Sequence, residues 1–387
     1  MRAYLDHAAT TPMRPEAVEA MLPYLRGAGM SGNPSGSHRE SRRARLAVDD
    51  AREQIAGLLG ADLGEVVFTG SGTEADNLAI TGALGARPVS AGGRVGLIVC
   101  TAMEHHAVLN TCRAAAGSGS RGLREVGADR SGMIDLEGLA EACTPDVRLV
   151  SVMAVNNEIG TVQPLDDVSR LVRTLSPDAV LHTDAVQAVP WLEMPPITAV
   201  VDLLSVSAHK FGGPQGVGAL VVRNGVPIEA VIHGGGQERE RRSGTHNVAG
   251  IVAMAAALSA TEAERTDSVA RVTGLRDRLV DGLLASVAGT AETGDRNAKV
   301  PGHAHLRFDG VESEAMVVLL DDAGVAASAG AACSSGAVEP SHVLLAMGFG
   351  KEAAGSGVRF SLGRTSTDAD VDHVLAVVPG VVARLRN

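Results

Sequence analysis

Residues 199–222 read AVVDLLSVSAHKFGGPQGVGALVV, and this stretch decides the fold. An apolar segment ends in Ser-Ala-His-Lys, a turn rich in glycine and proline follows, and a second apolar segment comes after the turn. Short apolar runs bounded by glycine and proline are typical of buried strands. The stretch therefore predicts two neighbouring strands, with Lys210 at the end of the first.

Lys210 is unusual because the chain avoids lysine. Lysine and arginine together number 34, and the three lysines are Lys210, Lys299 and Lys351. Arginine stays protonated, whereas a lysine whose pKa is lowered by burial can form a Schiff base with a carbonyl. One interpretation is that position 210 needs an amine. The alternative is a lysine at a strand end whose ammonium group reaches water.

The composition excludes several classes of protein. The chain has 387 residues, enough for two domains, of which 45% are hydrophobic and 20% charged, as in ordinary globular proteins. A formal net charge of −11 argues against a nucleic-acid-binding face, so we expect no direct nucleic-acid binding. No apolar run has the length of a membrane span, and the first residues lack a signal peptide. We predict a cytoplasmic protein without membrane contact.

The alternation of predicted elements indicates an α/β fold. Candidate strands are Glu65–Thr69, Val95–Thr101, Leu149–Val155, Val180–Thr183, Leu203–Ser207 and Gly218–Val222, with helical stretches between most of them. This order is typical of a mostly parallel sheet with helices on both faces. The pattern changes near residue 258, where a long helix, Ser259–Ser286, begins. We predict a large domain, residues 15–257, and a small α+β domain that combines residues 1–14 and 258–387.

A glycine-rich motif, TGSGTEADN, occupies residues 69–77 directly after a predicted strand. Such a turn at the start of a helix presents free N–H groups to a phosphate. Gly70, Gly72 and Ala75 also satisfy the G-x-G-x-x-A pattern of dinucleotide binding, but no acidic residue ends the next strand as that fold requires. A single phosphate is the simplest functional interpretation. The alternative is a plain glycine turn in which Thr73 caps the helix.

Polar residues follow three further strands. AMEHHAV, residues 102–108, contains two histidines, of which we expect at most one to face a cleft. AVNNEIGTVQP, residues 154–164, is typical either of a site at the open edge of a sheet or of ordinary turns. In LHTDAVQAV, residues 181–189, Asp184 ends a strand in apolar surroundings, and a buried carboxylate needs a cation. A protonated pyridine nitrogen or an arginine would supply that cation.

One basic loop and one arginine are further candidates. HGGGQERERRSGTHN, residues 233–247, is either a basic surface loop or an anion-binding loop that reaches a neighbouring site. In VRFSLGR, residues 358–364, Arg359 on a strand could bind a substrate carboxylate through two hydrogen bonds.

The four cysteines fall into two groups. Cys100, Cys112 and Cys143 have apolar neighbours, as core cysteines do. Their spacing predicts neither a disulfide framework nor a metal site. Cys333 lies in VAASAGAACSSGAVEPSH, residues 325–342, a run of small residues without hydrophobic periodicity. We predict a reactive nucleophile on a mobile loop, because an exposed thiol is a liability unless it is used. The alternative is a structural cysteine.

Taken together, these motifs resemble the cysteine desulfurases, a group within the class V aminotransferases that use pyridoxal 5′-phosphate. The matching motifs, in order, are YLDHAATTP, GNPSGSH, GTEADN, EHHAV, VNNEIG, TDAVQ, SAHK, HGGGQERERRSGT, SAGAACSS and RFSLGR. The resemblance runs from residue 4 to about residue 385. The resemblance implies a fold-type-I transferase, in which a large domain with a mostly parallel, seven-stranded sheet carries the cofactor beside a smaller α+β domain.

The resemblance also implies roles around the cofactor ring. Lys210 binds the cofactor covalently, Asp184 pairs with the pyridine nitrogen, and His105 stacks on the ring and takes part in catalysis. Gln187 and Asn157 bond near the ring hydroxyl and the substrate. A protonated pyridine would make the cofactor a stronger electron sink for the substrate.

Further roles concern the phosphate and the dimer. The resemblance implies that Gly72, Thr73, Ser207 and His209 hold the phosphate, and that Thr245 reaches it from the partner subunit of a homodimer. No metal is implied.

For the reaction itself, the resemblance implies that Arg359 binds the carboxylate of L-cysteine. Cys333 takes the substrate sulfur as a persulfide, alanine is released, and the sulfur passes to an acceptor protein. Within the family, the alternatives are a selenocysteine lyase and a cysteine-conjugate C–S lyase; a catalytically idle scaffold is the alternative outside enzymology.

The sequence departs from its relatives in two places. Ala208 stands where relatives often have glycine. The small-residue loop around Cys333 resembles the longer-loop branch of the family, and the chain ends at Asn387 without the extension that some relatives use to dock an iron–sulfur scaffold. The missing extension counts against the usual iron–sulfur scaffold as the partner. The expected acceptors are iron–sulfur assembly and, in place of that scaffold, tRNA or cofactor thiolation or DNA phosphorothioate modification.

Overall fold

The computed structural model of the chain describes residues 2–27, 32–86, 96–117, 121–330 and 340–387. Its strands are β1 (Ala3–Tyr4), β2 (Val66–Thr69), β3 (Gly96–Thr101), β4 (Arg121–Val126), β5 (Val147–Ser151), β6 (Val180–Asp184), β7 (Leu203–Ser207), β8 (Gly218–Val222), β9 (Thr290–Glu292), β10 (His303–Phe308), β11 (Val325–Ala326) and β12 (Gly357–Ser361). Its α-helices are α1 (Pro15–Leu25), α2 (Arg39–Leu59), α3 (Gly72–Asn77), α4 (Ala83–Gly85), α5 (His106–Gly117), α6 (Leu136–Ala142), α7 (Leu165–Leu175), α8 (Met194–Val200), α9 (Val248–Ser286), α10 (Ser313–Asp322), α11 (His342–Ala346), α12 (Lys351–Ala354) and α13 (Asp368–Arg386).

A seven-stranded sheet forms the centre of the protein, in the order β2-β8-β7-β6-β5-β3-β4. Strands β7, β6, β5, β3 and β4 run parallel, and β8 is antiparallel to both of its neighbours. The predicted mostly parallel sheet is therefore confirmed. Because the parallel strands end at one edge, the polar residues that follow β3, β5, β6 and β7 meet there.

Local sequence explains why several elements fall where the pattern predicts them. Helix α2 begins after His38, whose side chain accepts the Ser41 N–H, and ends at Gly60, which adopts a left-handed conformation with φ of 72°. Strand β4 was missed because its sequence, RGLREV, carries three charged residues and lies at the sheet edge with most of its side chains partly or fully exposed.

The π-helical turn Leu78–Gly82 joins α3 to α4, so the helix that starts at Gly72 continues to Gly85. Buried apolar residues of this helix, including Ile80 and Leu84, pack with those of β3 and α5 on one face of the central sheet. A second, larger core fills the other face, where α2 and the first half of α9 pack.

A smaller sheet, in the order β12-β10-β9, forms a separate hydrophobic core with α10, α13 and the second half of α9. The short pair β1 and β11 joins this core and brings the N-terminal segment with it. Helix α9 contributes Met254 to the main core and Leu279 to the smaller one, so a single helix crosses the predicted boundary at residue 258. The division into two domains stays a prediction.

Across the described ranges of the chain, none of the helices combines the length and the apolar character that a bilayer span requires.

Candidate active site

A cavity of about 370 Å³ lies at the edge of the central sheet where the parallel strands end. Ten residues predicted from the sequence line it together: Gly72, Thr73, His105, Asn157, Asp184, Gln187, Ser207, His209, Lys210 and Arg359. They come from both sheets and from the loops after four strands. The fold thus brings residues that are far apart in the sequence to one place.

Lys210 stands in the short turn after β7 and is partly buried. Its Nζ donates hydrogen bonds to the carbonyl oxygens of Ala8, at 2.6 Å, and Ala9, at 2.9 Å. The N-terminal segment therefore holds the amine at the cavity wall, although sequence reasoning gave that segment no role. The contacts of this amine with protein carbonyls at the cavity wall favour the interpretation that position 210 needs an amine over that of a lysine that only reaches water.

Asp184 ends β6 and is 5% exposed. Its Oδ1 accepts the N–H of Val186 at 2.9 Å. Burial raises the pKa of the Asp184 carboxyl to about 6, against the opposing effects of that N–H and of the Lys210 charge. The groups that favour its ionised form are the Val186 N–H and Lys210, and no arginine of the described part of the chain is among them, so the alternative of an arginine partner is wrong for these residues. A cationic ligand nitrogen would complete the site.

The two adjacent histidines face different surroundings, as predicted. His105 lines the cavity, and its Nδ1 accepts the Ala107 N–H at 3.1 Å. Burial and then the Lys210 charge lower the pKa of His105 to about 4, so its ring is neutral and suited to stacking on a flat ligand. The His106 ring instead packs against His342, with ring centroids 4.5 Å apart.

The start of α3 forms one end of the cavity. A Cβ atom on Gly72 would lie 3.1 Å from the Cβ of Ser207 and 3.0 Å from Cγ2 of Val186, so glycine allows the helix end to approach β7. The helix is capped by Ser71, whose hydroxyl accepts the Glu74 N–H at 3.1 Å. The alternative in which Thr73 is the cap is therefore wrong. Thr73 instead lines the cavity.

His209 lies beside this end of the cavity. Its Nδ1 is 3.2 Å from the Thr10 hydroxyl oxygen, again a contact with the N-terminal segment. Burial and then the Lys210 charge lower the pKa of His209 to about 4. The ring is neutral, so it can donate one hydrogen bond to an anion but adds no charge.

Arg359 and Asn157 also line the cavity and are joined to each other. Arg359 Nη1 donates to the Asn157 carbonyl oxygen at 2.7 Å, and Nη2 donates to Asp6 Oδ1 at 2.8 Å. Asp6 was not predicted as a site residue. Gln187 donates its Nε2 hydrogen to the Ala8 carbonyl at 2.8 Å. Arg359 Nε and Asn157 Oδ1 are buried and have no hydrogen-bond partner among the described residues. Buried orphan groups of this kind indicate a ligand.

These residues fit pyridoxal phosphate. They supply an amine, a buried carboxylate for a cationic nitrogen, a neutral aromatic ring, and a cradle at Gly72 that a side chain would fill. The orphaned Asn157 Oδ1 needs a donor that the described residues do not supply. A nicotinamide dinucleotide explains neither the amine nor the carboxylate.

Comparison with known proteins identifies the family. The model of the class-V aminotransferases matches residues 3–374. The chain belongs to this family. It is 44% identical to an IscS-like cysteine desulfurase from Mycobacterium tuberculosis, over 99% of this chain and 97% of that protein. A solved NifS-like protein superposes with a TM-score of 0.91 at 34% identity, covering 99% of this chain and all of that one. Another solved structure, SspA in complex with cysteine, has 30% identity and a TM-score of 0.80 over 94% of this chain and 100% of that one.

The chain is accordingly a pyridoxal-phosphate enzyme of the cysteine desulfurase group, with the fold-type-I architecture that its sequence predicts. Enzymes of this group use L-cysteine and transfer its sulfur to acceptor proteins.

Two predicted residues lie elsewhere. Thr245 is exposed in the loop 233–247, outside the cavity of its own chain. The same loop contacts the cavity wall from outside, because Arg242 Nε donates to Glu74 Oε1 on α3 at 2.6 Å. Cys333 falls in residues 331–339, outside the described residues.

Sequence reasoning also missed a carboxyl group. Asp76 of TGSGTEADN lines the cavity and is 1% exposed. The spacing of the motif could have indicated this position. Asp76 follows Gly72 by four residues, so it lies on the same face of the helix as the glycine that lines the cavity.

Proposed function

We propose that the enzyme converts L-cysteine to L-alanine and passes the sulfur through Cys333 to an acceptor protein. The observation that carries this proposal is the single cavity in which Lys210, Asp184, His105 and Arg359 meet. Support for the substrate comes from the cysteine-bound relative, SspA. The acceptor would belong to iron–sulfur assembly, tRNA or cofactor thiolation, or DNA phosphorothioation, and the reaction would take place in the cytoplasm.

In this proposal each side chain has a distinct task. When bound, pyridoxal phosphate supplies an electron sink for the carbon atom next to the substrate carboxylate. Lys210 binds the cofactor through its amine, Asp184 keeps a proton on the pyridine nitrogen, and neutral His105 stacks on the ring. Arg359 orients the substrate by its carboxylate, and its buried Nε offers a further donor.

The remaining cofactor contacts follow from position. In this proposal Gly72, Thr73, Ser207 and His209 hold the phosphate, and Asn157 and Gln187 bond near the ring hydroxyl and the substrate. Its support is that all six residues line the same cavity.

The sulfur step balances without an external oxidant. The Cys333 thiolate attacks the substrate sulfur, an S–S bond forms, and the C–S bond breaks. Its electron pair stays on the substrate carbon, which takes up a proton and becomes the methyl group of alanine. Cys333 then carries a persulfide, whose outer sulfur passes to the acceptor.

The test is L-alanine release from L-cysteine by the cofactor-loaded protein with a reducing thiol present. Cys333→Ser should abolish alanine release, and Cys143→Ala, which removes a buried thiol, should keep it. With L-cysteine but without the reducing thiol, Cys143→Ala should gain the mass of one sulfur atom and Cys333→Ser should not, because a reducing thiol would remove the outer sulfur of a persulfide. Full activity of Cys333→Ser would exclude the persulfide route. Activity confined to selenocysteine or cysteine conjugates would favour a lyase, and a protein that never takes up the cofactor would be an idle scaffold.

The homodimer belongs to the same proposal, with Thr245 completing the phosphate site of the partner subunit. Its support is the exposure of Thr245 in a loop fastened to α3 by Arg242. A complementation experiment tests it. Thr245→Ala and Lys210→Arg chains are each expected to be defective, and mixed dimers should regain partial activity because one site is then intact. Absence of recovery in verified mixed dimers would contradict a shared site.

A further inference from the structure

Asp76 is a buried carboxyl group in the cavity wall that the roles above do not use. We propose that Asp76 is a positioning residue of the cofactor site: it keeps its proton beside Asp184, so that the two buried carboxyl groups carry one negative charge between them and Asp184 stays ionised. The inference rests on the proposed role of Asp184 as the partner of the cofactor nitrogen, and it deepens that role.

The geometry places the two carboxyl groups together. One oxygen of Asp76, one of Asp184 and one ring nitrogen of His105 all lie within 4.8 Å of one another. Asp76 is 1% exposed and Asp184 is 5% exposed. Two carboxylates this close in a buried site cannot both ionise at low cost, so one of them retains a proton near neutral pH.

Asp184 has the better surroundings for a negative charge. Its Oδ1 accepts the Val186 N–H at 2.9 Å, and the Lys210 ammonium group also favours its ionised form. Both interactions are directed at the carboxylate, and a hydrogen bond to the charged form lowers the pKa of an acid.

Asp76 has the poorer surroundings. Its Oδ1 has no hydrogen-bond partner among the described residues, and the nearest ring nitrogen is His182 Nε2 at 3.6 Å. That ring already contacts hydroxyl groups on both sides, Ser151 at 2.9 Å and Ser205 at 3.0 Å. Burial lowers the pKa of His182 to about 3, so the ring is neutral and supplies no positive charge.

Glu104 also lies near Asp76 and supplies no positive charge to it. It follows β3 and is fully buried, and burial raises the pKa of its own carboxyl well above the usual range, so it would repel a charge on Asp76 only where it is itself ionised. Burial first, and then the Asp184 charge, raise the pKa of Asp76 well above its usual range, and a hydrogen bond from Ser205 opposes them only in part. His105, the third member of the group, is neutral. The proton of the pair therefore belongs on Asp76.

Infrared spectroscopy gives a direct test that does not depend on turnover. The holoenzyme, with its aspartates labelled with carbon-13, should show the carbonyl stretch of a buried protonated carboxylic acid near neutral pH. The band should disappear in Asp76→Asn and remain in Asp184→Asn. A wild-type spectrum without this band would overturn the proposal, as would a band that Asp184→Asn removes and Asp76→Asn retains.

Cofactor affinity tests the positioning role. Asp76→Asn keeps a neutral polar group and should change the dissociation constant of pyridoxal phosphate by no more than about threefold. Asp76→Leu removes that group at similar size and should weaken binding by roughly tenfold or more, because the buried Asp184 carboxylate then has an apolar neighbour in place of a polar one. Circular dichroism and thermal unfolding verify that both variants fold.

The outcomes separate the alternatives. Wild-type affinity in Asp76→Leu would show that Asp76 positions nothing, and a large loss in Asp76→Asn would show that its negative charge is needed. Either result would overturn the proposal. Neither measurement requires cysteine to be the substrate. A wild-type holoenzyme that shows the infrared band but releases no alanine would count against the proposed function and leave Asp76 in its role.

Discussion

Arg359 Nη2 donates a hydrogen bond to Asp6 Oδ1 at 2.8 Å, and this ion pair ties β12 to the N-terminal segment at the cavity. The Arg359 side chain is 6% exposed and the Asp6 side chain 24%. The guanidinium is therefore held in place before a substrate arrives. A substrate carboxylate would meet a cation that already has one carboxylate partner, so Asp6 should weaken substrate binding.

We predict that Arg359→Lys raises the KM for L-cysteine by roughly tenfold or more, because a charge-assisted hydrogen bond is worth about 1.5–3 kcal/mol and lysine cannot form the paired bonds of arginine. Alanine formation at varied cysteine concentration measures this effect, and an unchanged cofactor absorbance shows that the site is intact. Asp6→Asn is the matched variant. It removes the competing charge and should lower KM. An unchanged KM in Arg359→Lys would mean that the carboxylate binds elsewhere.

The second prediction concerns Lys210. Lys210→Arg keeps a cation that can bond the carbonyls of Ala8 and Ala9, but a guanidinium does not bind an aldehyde covalently. After borohydride reduction, the wild-type protein should carry the mass of the reduced cofactor and Lys210→Arg should not. Lys299→Arg is the control, because Lys299 pairs with Glu292 away from the cavity. Labelling of Lys210→Arg would place the covalent site on another amine.

The elements that the sequence predicts well are those whose signals are local. Helix α2 has an apolar stripe, a cap at His38 and a left-handed Gly60, and the helical spacing of residues 39–59 predicts its observed bounds, Arg39–Leu59. Strands β7 and β8 likewise match, because each is a short apolar run between turn residues. Strand β4 has no such local signal. It forms a strand because its backbone pairs with β3, and its own side chains do not indicate that pairing.

The site divides in the same way. Lys210 and Asp184 stand out in the sequence because a lone amine and a carboxylate at strand ends need partners. Asp6 and the Ala8 carbonyl do not stand out in the sequence. Their importance arises from contacts with Arg359 on β12 and with Lys210 after β7, residues that are far from them in the chain. Asp76 requires the distance to Asp184, which no spacing in the sequence supplies.

The third prediction concerns acid stability. His305 on β10 is fully buried, both of its ring nitrogens lack a hydrogen-bond partner within the described ranges, and burial lowers its pKa to about 3. The unfolded chain takes up this proton near pH 6.5 and the folded chain does not, so folding stability falls as pH drops below 6.5. At pH 5 the cost is about 2 kcal/mol for this one group.

His305→Gln removes this titration. The free energy of unfolding, measured with urea at several pH values, should therefore depend less steeply on pH between about 6.5 and 4 in the variant than in the wild type. The measured quantity is the difference in slope between the two proteins. The raised pKa of Asp184 makes both proteins more stable as pH falls, which is opposite to the effect of His305, and this contribution cancels in the difference. His233→Gln, at an exposed side chain, is the control and should leave the slope unchanged. Equal slopes for His305→Gln and wild type would mean that His305 is protonated in the folded protein.

The last prediction concerns Glu238, which anchors the loop that carries Thr245. Its carboxylate accepts hydrogen bonds from both terminal nitrogens of Arg52, at 2.6 and 2.8 Å, and is 2.6 Å from His246 Nε2. Glu238, Arg239 and Glu240 all have positive φ, so this anchor holds three non-glycine residues in an unfavourable backbone region. The hydrogen bonds from Arg52 and His246 overcome burial and lower the pKa of Glu238 to about 2.

Glu238→Gln should lower the free energy of unfolding by about 3–5 kcal/mol at neutral pH, because it leaves the buried Arg52 without its charge partner. Urea unfolding measures this loss. The stabilisation is present above the unfolded pKa of glutamate and is lost as pH falls toward 2, so the difference from wild type should shrink in acid. Glu240→Gln, an exposed neighbour in the same turn, should change stability by no more than about 0.5 kcal/mol. If the two variants lose equal stability, the Arg52 pair does not hold the loop, and the backbone strain must be balanced by other contacts.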